Sequence, residues 1–181
     1  MTFPQSPDPK RALRTSMRRL LRETDHDPRA ICAAVEGWLA AHPGARTIAV
    51  FRALPGEVDL SEVTARHGGR RWVYPRVADD DLVFHLVADP ATGLKPGTMG
   101  ILEPAPDLPR VTVGEIDAFF CPGLAFDARG GRLGRGRGYY DRMLARARPD
   151  ALKIGVCFPA QLVPDTFARA HDIAMDGVLT G

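Results

Sequence analysis

Residues 130–138 read Gly-Gly-Arg-Leu-Gly-Arg-Gly-Arg-Gly and run into Tyr139, Tyr140 and Asp141. Gly130, Gly131, Gly134, Gly136 and Gly138 alternate with Arg132, Arg135 and Arg137, and Arg129 stands just before them. Glycine lets backbone N–H groups come close to an anion and takes positive φ without strain. Arginine supplies a planar fork of donors that matches phosphate oxygens. The GxxxxGK[ST] order of a Walker A loop is absent. The stretch leaves an apolar segment and enters a helical one, so a phosphate held there would meet a helix start. A disordered RGG-type tract and a plain basic turn are the competing readings. The apolar flanks argue against the first, and the entropy cost of five glycines argues against the second. Asp141 is either a favourable charge in the first helical turn or a Mg²⁺ ligand beside phosphate oxygens.

A second set of candidates lies near the start. Lys10, Arg14, Met17 and Leu21 follow i, i+4, i+7 and i+11, so two cations extend an apolar stripe. Cations on such a face are costly unless an anion meets them, or unless they snorkel at the helix end.

The elements that must position these groups follow from hydrophobic period. Residues 1–9 carry three prolines and read as a flexible lead-in. Helices are expected from Lys10 and over 28–41. A buried strand fits 46–54, a helix capped by Asp59 fits 59–67, and strands fit 70–77 and 80–88, the last an edge or antiparallel strand. Residues 89–110 carry five prolines and read as an extended loop without helix. The most apolar strand lies within 115–127. A helix over 138–148 and strands over 151–158 and 172–180 complete the chain. This alternation predicts one α/β domain over 10–181: three layers, a mostly parallel sheet flanked by helices, and an N-terminal helical pair. In such folds the ligand site lies outside the carboxyl ends of the strands. The segments following the strands at 46–54, 115–127 and 151–158 can therefore share one rim.

The composition is that of an ordinary soluble protein, with 45% hydrophobic and 25% charged residues. A formal net charge of +2 argues against binding nucleic acid through bulk charge, although 7 arginines crowd between Arg129 and Arg148. No window approaches a membrane span and no signal core precedes the first helix. Cys32, Cys121 and Cys157 lack metal or disulfide spacing and read as reduced core thiols of a cytoplasmic protein.

The segment "PGLAFDARGGRLGRGRGYYDRML" resembles the signature of the 5-formyltetrahydrofolate cyclo-ligase family, also called 5,10-methenyltetrahydrofolate synthetases. That pattern runs approximately PGxxFDxxGxRLGxGxGYYD. Pro122, Gly123, Phe126, Asp127, Arg132, Leu133, Gly134, Gly136, Gly138, Tyr139, Tyr140 and Asp141 all match it. The resemblance implies an enzyme that uses Mg²⁺ and ATP to convert 5-formyltetrahydrofolate to 5,10-methenyltetrahydrofolate. It proceeds by phosphorylating the formyl oxygen, followed by attack of N10 and release of ADP and phosphate. It implies small-molecule partners, no nucleic acid or membrane, and a monomer. Carried over by position, ATP binding falls to Lys10, Arg11, Arg14 and the run from Arg132 to Tyr140. Arg135, Arg137 and Tyr140 are the implied catalytic groups. Folate contacts fall to Glu57, Arg52, Met99, Arg14 and Tyr139, with Glu57 accepting from the pterin, and metal binding falls to Asp141 and Asp176. Three positions depart from the family: Arg137 stands for a lysine, Met99 for an aromatic and Arg52 for an apolar residue. A paralogue acting on another substrate is the nearest alternative, and an RNA-binding protein using the 129–148 arginines a more distant one.

Overall fold

In the computed structural model, residues 8–24, 26–97 and 100–181 are described. Of the expected lead-in over 1–9, residues 1–7 lie outside them, as does the candidate folate contact Met99, while Asp8 and Pro9 are the N-cap and first residue of a helix. Helix α1 spans Pro9–Glu23 and α2 spans Arg29–Ala41. There follow β1 (Thr47–Ala49), α3 (Ser61–Arg66), β2 (Arg71–Ala78) and β3 (Asp81–Leu86). A short helix α4 (Pro90–Gly93) leads into β4 (Leu94–Pro96), β5 (Leu102–Pro104) and β6 (Arg110–Val111). The remainder is β7 (Ala118–Cys121), β8 (Ala125–Phe126), β9 (Arg132–Leu133), α5 (Tyr139–Leu144), β10 (Leu152–Val156) and β11 (Gly177–Leu179).

Seven strands form the main sheet in the order β11-β10-β7-β1-β2-β3-β6. From β11 to β2 all neighbours are parallel, and β3 and β6 pair antiparallel. The side-chain period of two divides the core in two. Ile48, Val50 and Phe120 face the helix α2 side with Ile31, Val35 and Leu39. Ala49, Phe119 and Cys121 face the α5 side with Met143 and Leu144. Helix, sheet and helix are thus three layers, as the alternating pattern predicts. Fully burying a leucine or phenylalanine in such a core contributes about 1.5–3 kcal/mol.

The N-terminal helices dock on separate surfaces. α2 covers the sheet. α1 turns Met17 and Leu21 onto Leu124, Ala125 and Leu133, the two-stranded β8–β9 ribbon. Its N-cap is Asp8, whose side chain accepts from the Lys10 backbone N–H at 3.2 Å.

Several boundaries differ from expectation. The 46–54 strand is regular only over Thr47–Ala49, because the chain beyond Val50 turns toward the site. The helix expected from Asp59 begins at Ser61, with the Asp59 carboxylate accepting from Ser61 N–H at 2.9 Å. The 138–148 helix is regular only over Tyr139–Leu144, and the last strand only over Gly177–Leu179. The stretch 89–110, expected to lack a helix, holds one turn of helix and three short strands. Its prolines do not prevent this. Pro90 occupies the first helical turn, capped by Asp89, while Pro96 and Pro104 end β4 and β5, where fewer ladder hydrogen bonds are needed.

Candidate functional site

A cavity of about 850 Å³ opens at the carboxyl ends of β1 and β7 and against the distal half of β2. One wall is apolar, with Phe51, Leu54, Val77, Leu82 and Ile101 among its residues. The 134–138 loop and the inner stripe of α1 also line it, and there cationic side chains outnumber carboxylates.

The loop is anchored by Asp127. Its Oδ1 accepts from the N–H groups of Arg129 (2.9 Å) and Gly131 (3.1 Å), and its Oδ2 from the Thr166 N–H (2.9 Å) and hydroxyl (2.6 Å). Burial alone would raise the Asp127 pKa, but the hydrogen bonds from Thr166, Arg129 and Gly131 outweigh it and hold the carboxyl far below 3.8. Gly131 is compulsory, since a Cβ there would overlap the Thr166 hydroxyl and the Asp127 carboxylate. The Gly130–Gly131 half of the motif is therefore a structural knot.

The following half is an open loop fixed by its carbonyls. Arg14 Nε donates to the Gly134 carbonyl and an Arg18 terminal nitrogen to that of Arg135, both at 3.0 Å. Arg142 reaches the Arg137 carbonyl at 3.0 Å and lies over the Tyr139 ring at 5.3 Å. In a trans peptide the C=O and N–H point opposite ways, so clamping these carbonyls also aims the N–H groups that follow them. Gly136 and Gly138 have φ of 105° and 69°, which only glycine takes cheaply. Because α5 is a single short helix, the attraction for an anion rests more on the arginines than on its dipole.

The ion pairs around the cavity hold most of the sequence candidates. Arg132 is buried, donates to Asp141 Oδ1 at 3.1 Å and covers the Tyr140 ring at 5.1 Å. The same Asp141 oxygen accepts from Ile173 N–H at 3.3 Å. Burial pushes the Tyr140 phenol well above 10, so it stays a donor. Lys10, buried on the α1 stripe, pairs with Asp172, which also accepts from Arg169 N–H at 2.6 Å. Burial would raise the Asp172 pKa, but Lys10 and the Arg169 amide hold it below its usual value. Glu57 Oε1 accepts twice from Arg135, at 3.0 and 2.8 Å, and Oε2 accepts from Leu54 N–H at 3.0 Å. Arg52 lines the cavity and lies 3.8 Å from Asp59. Leu133, Gly134, Gly136, Arg137, Gly138 and Tyr139 complete the cavity-side set.

Two candidates fall outside it. Arg11 is exposed and absent from the cavity wall, because one residue along a helix turns about 100° away from the Lys10 stripe. Asp176 precedes β11, where its carboxylate accepts from the Lys153 N–H at 2.7 Å and the Lys153 ammonium at 3.2 Å. That is the amino end of the strands, opposite the rim of the cavity. Asp172, four residues earlier, lines the cavity instead. Sequence reasoning missed Asp172, and also Arg18, which the α1 stripe would have supplied as Arg14 plus one turn. Among the described residues no three His, Cys, Asp or Glu side chains gather as a metal cage. All three cysteines are free thiols. Cys121 and Cys157 are buried, and burial pushes each thiol up to about 12. Cys32, expected in the core, is only half-buried at the α2–α3 edge, beside the Asp59 carbonyl. Among the described residues, no helix is long and apolar enough to cross a membrane.

Known proteins share this sequence pattern and this fold. The sequence pattern of the 5-formyltetrahydrofolate cyclo-ligase family matches residues 7–181. A 5-formyltetrahydrofolate cyclo-ligase of Mycolicibacterium smegmatis is 35% identical over 97% of this chain and 95% of its own length. One from Saccharomyces cerevisiae is 27% identical over 95% of each. Among solved structures, a 5,10-methenyltetrahydrofolate synthetase of Aquifex aeolicus superposes with a TM-score of 0.81 at 30% identity, covering 94% of this chain and 89% of that one. A synthetase from Mycoplasma pneumoniae has the same fold, with a TM-score of 0.77 at 24% identity over 94% and 97% of the two chains. With the pattern matched over almost the whole length, the chain belongs to the 5-formyltetrahydrofolate cyclo-ligase family.

Proposed function

We propose that the protein converts 5-formyltetrahydrofolate to 5,10-methenyltetrahydrofolate, coupled to cleavage of ATP to ADP and phosphate. One observation carries this reading: a set of apolar side chains and an arginine-clamped glycine loop line a single cavity. The first suits a flat pteridine and the second a triphosphate, so the two reactants would meet without leaving it.

The formyl oxygen attacks the γ-phosphorus and ADP leaves. N10 then attacks the activated formyl carbon, phosphate departs and the N10 proton is lost. Phosphoryl transfer of this kind needs charge neutralisation and alignment more than a protein nucleophile. Arg135 and Arg137 supply forked donors to the phosphates, and Lys10 and Arg14 bring charge from α1. Tyr140, kept protonated by burial, can donate a hydrogen bond but not serve as base. Glu57 is the acceptor for the amino-pyrimidinone edge of the pterin, and Arg52 and Tyr139 border that subsite.

Mg²⁺ fits as an ion brought by the nucleotide rather than as one caged by protein. Asp141 offers a cavity-side carboxylate whose hydrogen bonds, among the described residues, reach only Oδ1, and Asp172 is the neighbouring carboxylate. When bound, the ion would neutralise charge on the phosphates. Both substrates are small molecules, and three unpaired cysteines suit a reducing cytoplasm.

The test is direct. Purified protein mixed with 5-formyltetrahydrofolate, ATP and Mg²⁺ should produce the near-ultraviolet absorbance of the methenyl product, and omission of any one should abolish it. Folded protein that forms no product overturns the proposal.

A further inference from the structure

Glu57 and Arg135 are the groups to which the two substrates would lay claim, yet each holds the other. Arg135 sends both Nε (3.0 Å) and a terminal nitrogen (2.8 Å) to the same Glu57 oxygen. The second Glu57 oxygen is occupied by the Leu54 N–H. The Glu57 side chain is 7% exposed and that of Arg135 38%, so the carboxylate is the fixed member and the arginine the movable one. The loop carrying Arg135 is clamped by its backbone to Arg14 and Arg18, so the side chain can leave Glu57 without moving the loop.

We infer that Arg135, besides its part at the phosphates, withholds Glu57 from the pterin until a polyphosphate draws the guanidinium away. The inference rests on the proposed function for the identity of the two ligands. A triphosphate in the loop offers Arg135 more negative charge than one carboxylate does. Once the fork turns to it, Glu57 Oε1 is left in a nearly dry site with a lost partner, an unfavourable state that a donor edge of the pterin relieves. Nucleotide and folate therefore bind with positive coupling, and by linkage each raises the affinity of the other equally.

Equilibrium titrations without turnover test this. For the wild type, β,γ-methylene-ATP should tighten 5-formyltetrahydrofolate binding about tenfold, within the usual range of coupling between sites. Arg135→Gln should bind folate without nucleotide as tightly as the wild type does with it, and nucleotide should then change nothing. A second arm uses no folate. Inorganic tripolyphosphate is titrated into wild type, Glu57→Gln, Arg135→Gln and the double variant. Glu57→Gln should tighten it about tenfold when Arg135 is present and far less when it is absent, because the gain comes from freeing the fork. An equal gain in both backgrounds means simple charge repulsion and overturns the inference. So does folate affinity indifferent to nucleotide in the wild type, or tripolyphosphate that binds none of the four proteins. Failure of the turnover assay, by contrast, would sink the folate reading while leaving the tripolyphosphate arm to decide the Glu57–Arg135 competition.

Discussion

Gly130 and Gly131 are walled in by Met175, Thr166 and Asp127, whereas Gly136 has, among the described residues, only the Arg14 guanidinium within 4 Å of where a side chain would begin, at 3.7 Å. The same residue type thus serves two purposes within one short motif. In the first half glycine permits close approach between pieces of the protein. In the second, Gly136 keeps backbone open where the loop lines the cavity, while Gly134 and Gly138 leave room for the Arg132 and Arg142 guanidinium groups. Family resemblance covers both halves, so shared sequence pattern alone does not separate scaffold from ligand site.

Substitutions can break that division. The largest effect is expected from Asp127→Ala, which strands four donors around a buried site and should cost about 3 kcal/mol or more in a denaturant titration. Little loss of stability would mean the knot is not a scaffold. Asp141→Asn belongs to the other half. It should lower turnover about 100-fold or more while the protein remains folded by circular dichroism. Wild-type turnover would remove Asp141 from any metal role. Gly136→Ala lies between these, because it has space but the wrong φ. Strain of about 1–2 kcal/mol should appear in the melting curve, with a rise in KM for ATP and little change in KM for folate. A pure stability effect would count against phosphate contact there.

Acid sharpens the comparison further. The Asp127 pKa is depressed in the folded protein, so its stabilisation is complete above the unfolded value near 3.8 and lost as pH falls below it. Unfolding free energy followed from pH 5 to pH 2 should fall more steeply for the wild type than for Asp127→Asn. Parallel curves would show that the carboxylate charge is not what holds the knot. The smallest effect is reserved for a pair outside the motif. Arg146 forks onto Asp81 at the surface, and Arg146→Gln should change stability by less than about 1 kcal/mol.

Much of this was legible in the chain. The alternating pattern marked the layers and the parallel sheet, and helical spacing placed Lys10 and Arg14 on the face that lines the cavity. Where the reading failed, the deciding contacts were distant ones. Nothing local in "HDIAMDG" says that Asp172 faces the cavity while Asp176 caps the other end of a strand. That depends on where the last strand begins. The Glu57–Arg135 pair joins residues 78 apart, and no periodicity reports it. Arg11 was carried into the site by its neighbours in "KRALR", against the very helix geometry that favoured Lys10. The 89–110 segment misled because prolines were read as breakers when most of them stand at element ends.

The pairing of Lys10 with Asp172 spans 162 residues. Helix α1 therefore holds a cation whose partner is synthesised 162 residues after it. Until then α1 has neither that anion nor, for most of that interval, the β8–β9 ribbon on which its apolar stripe rests. A chain that has not yet reached Asp172 consequently lacks the Lys10 ion pair, and the order of synthesis itself delays the assembly of this wall of the cavity.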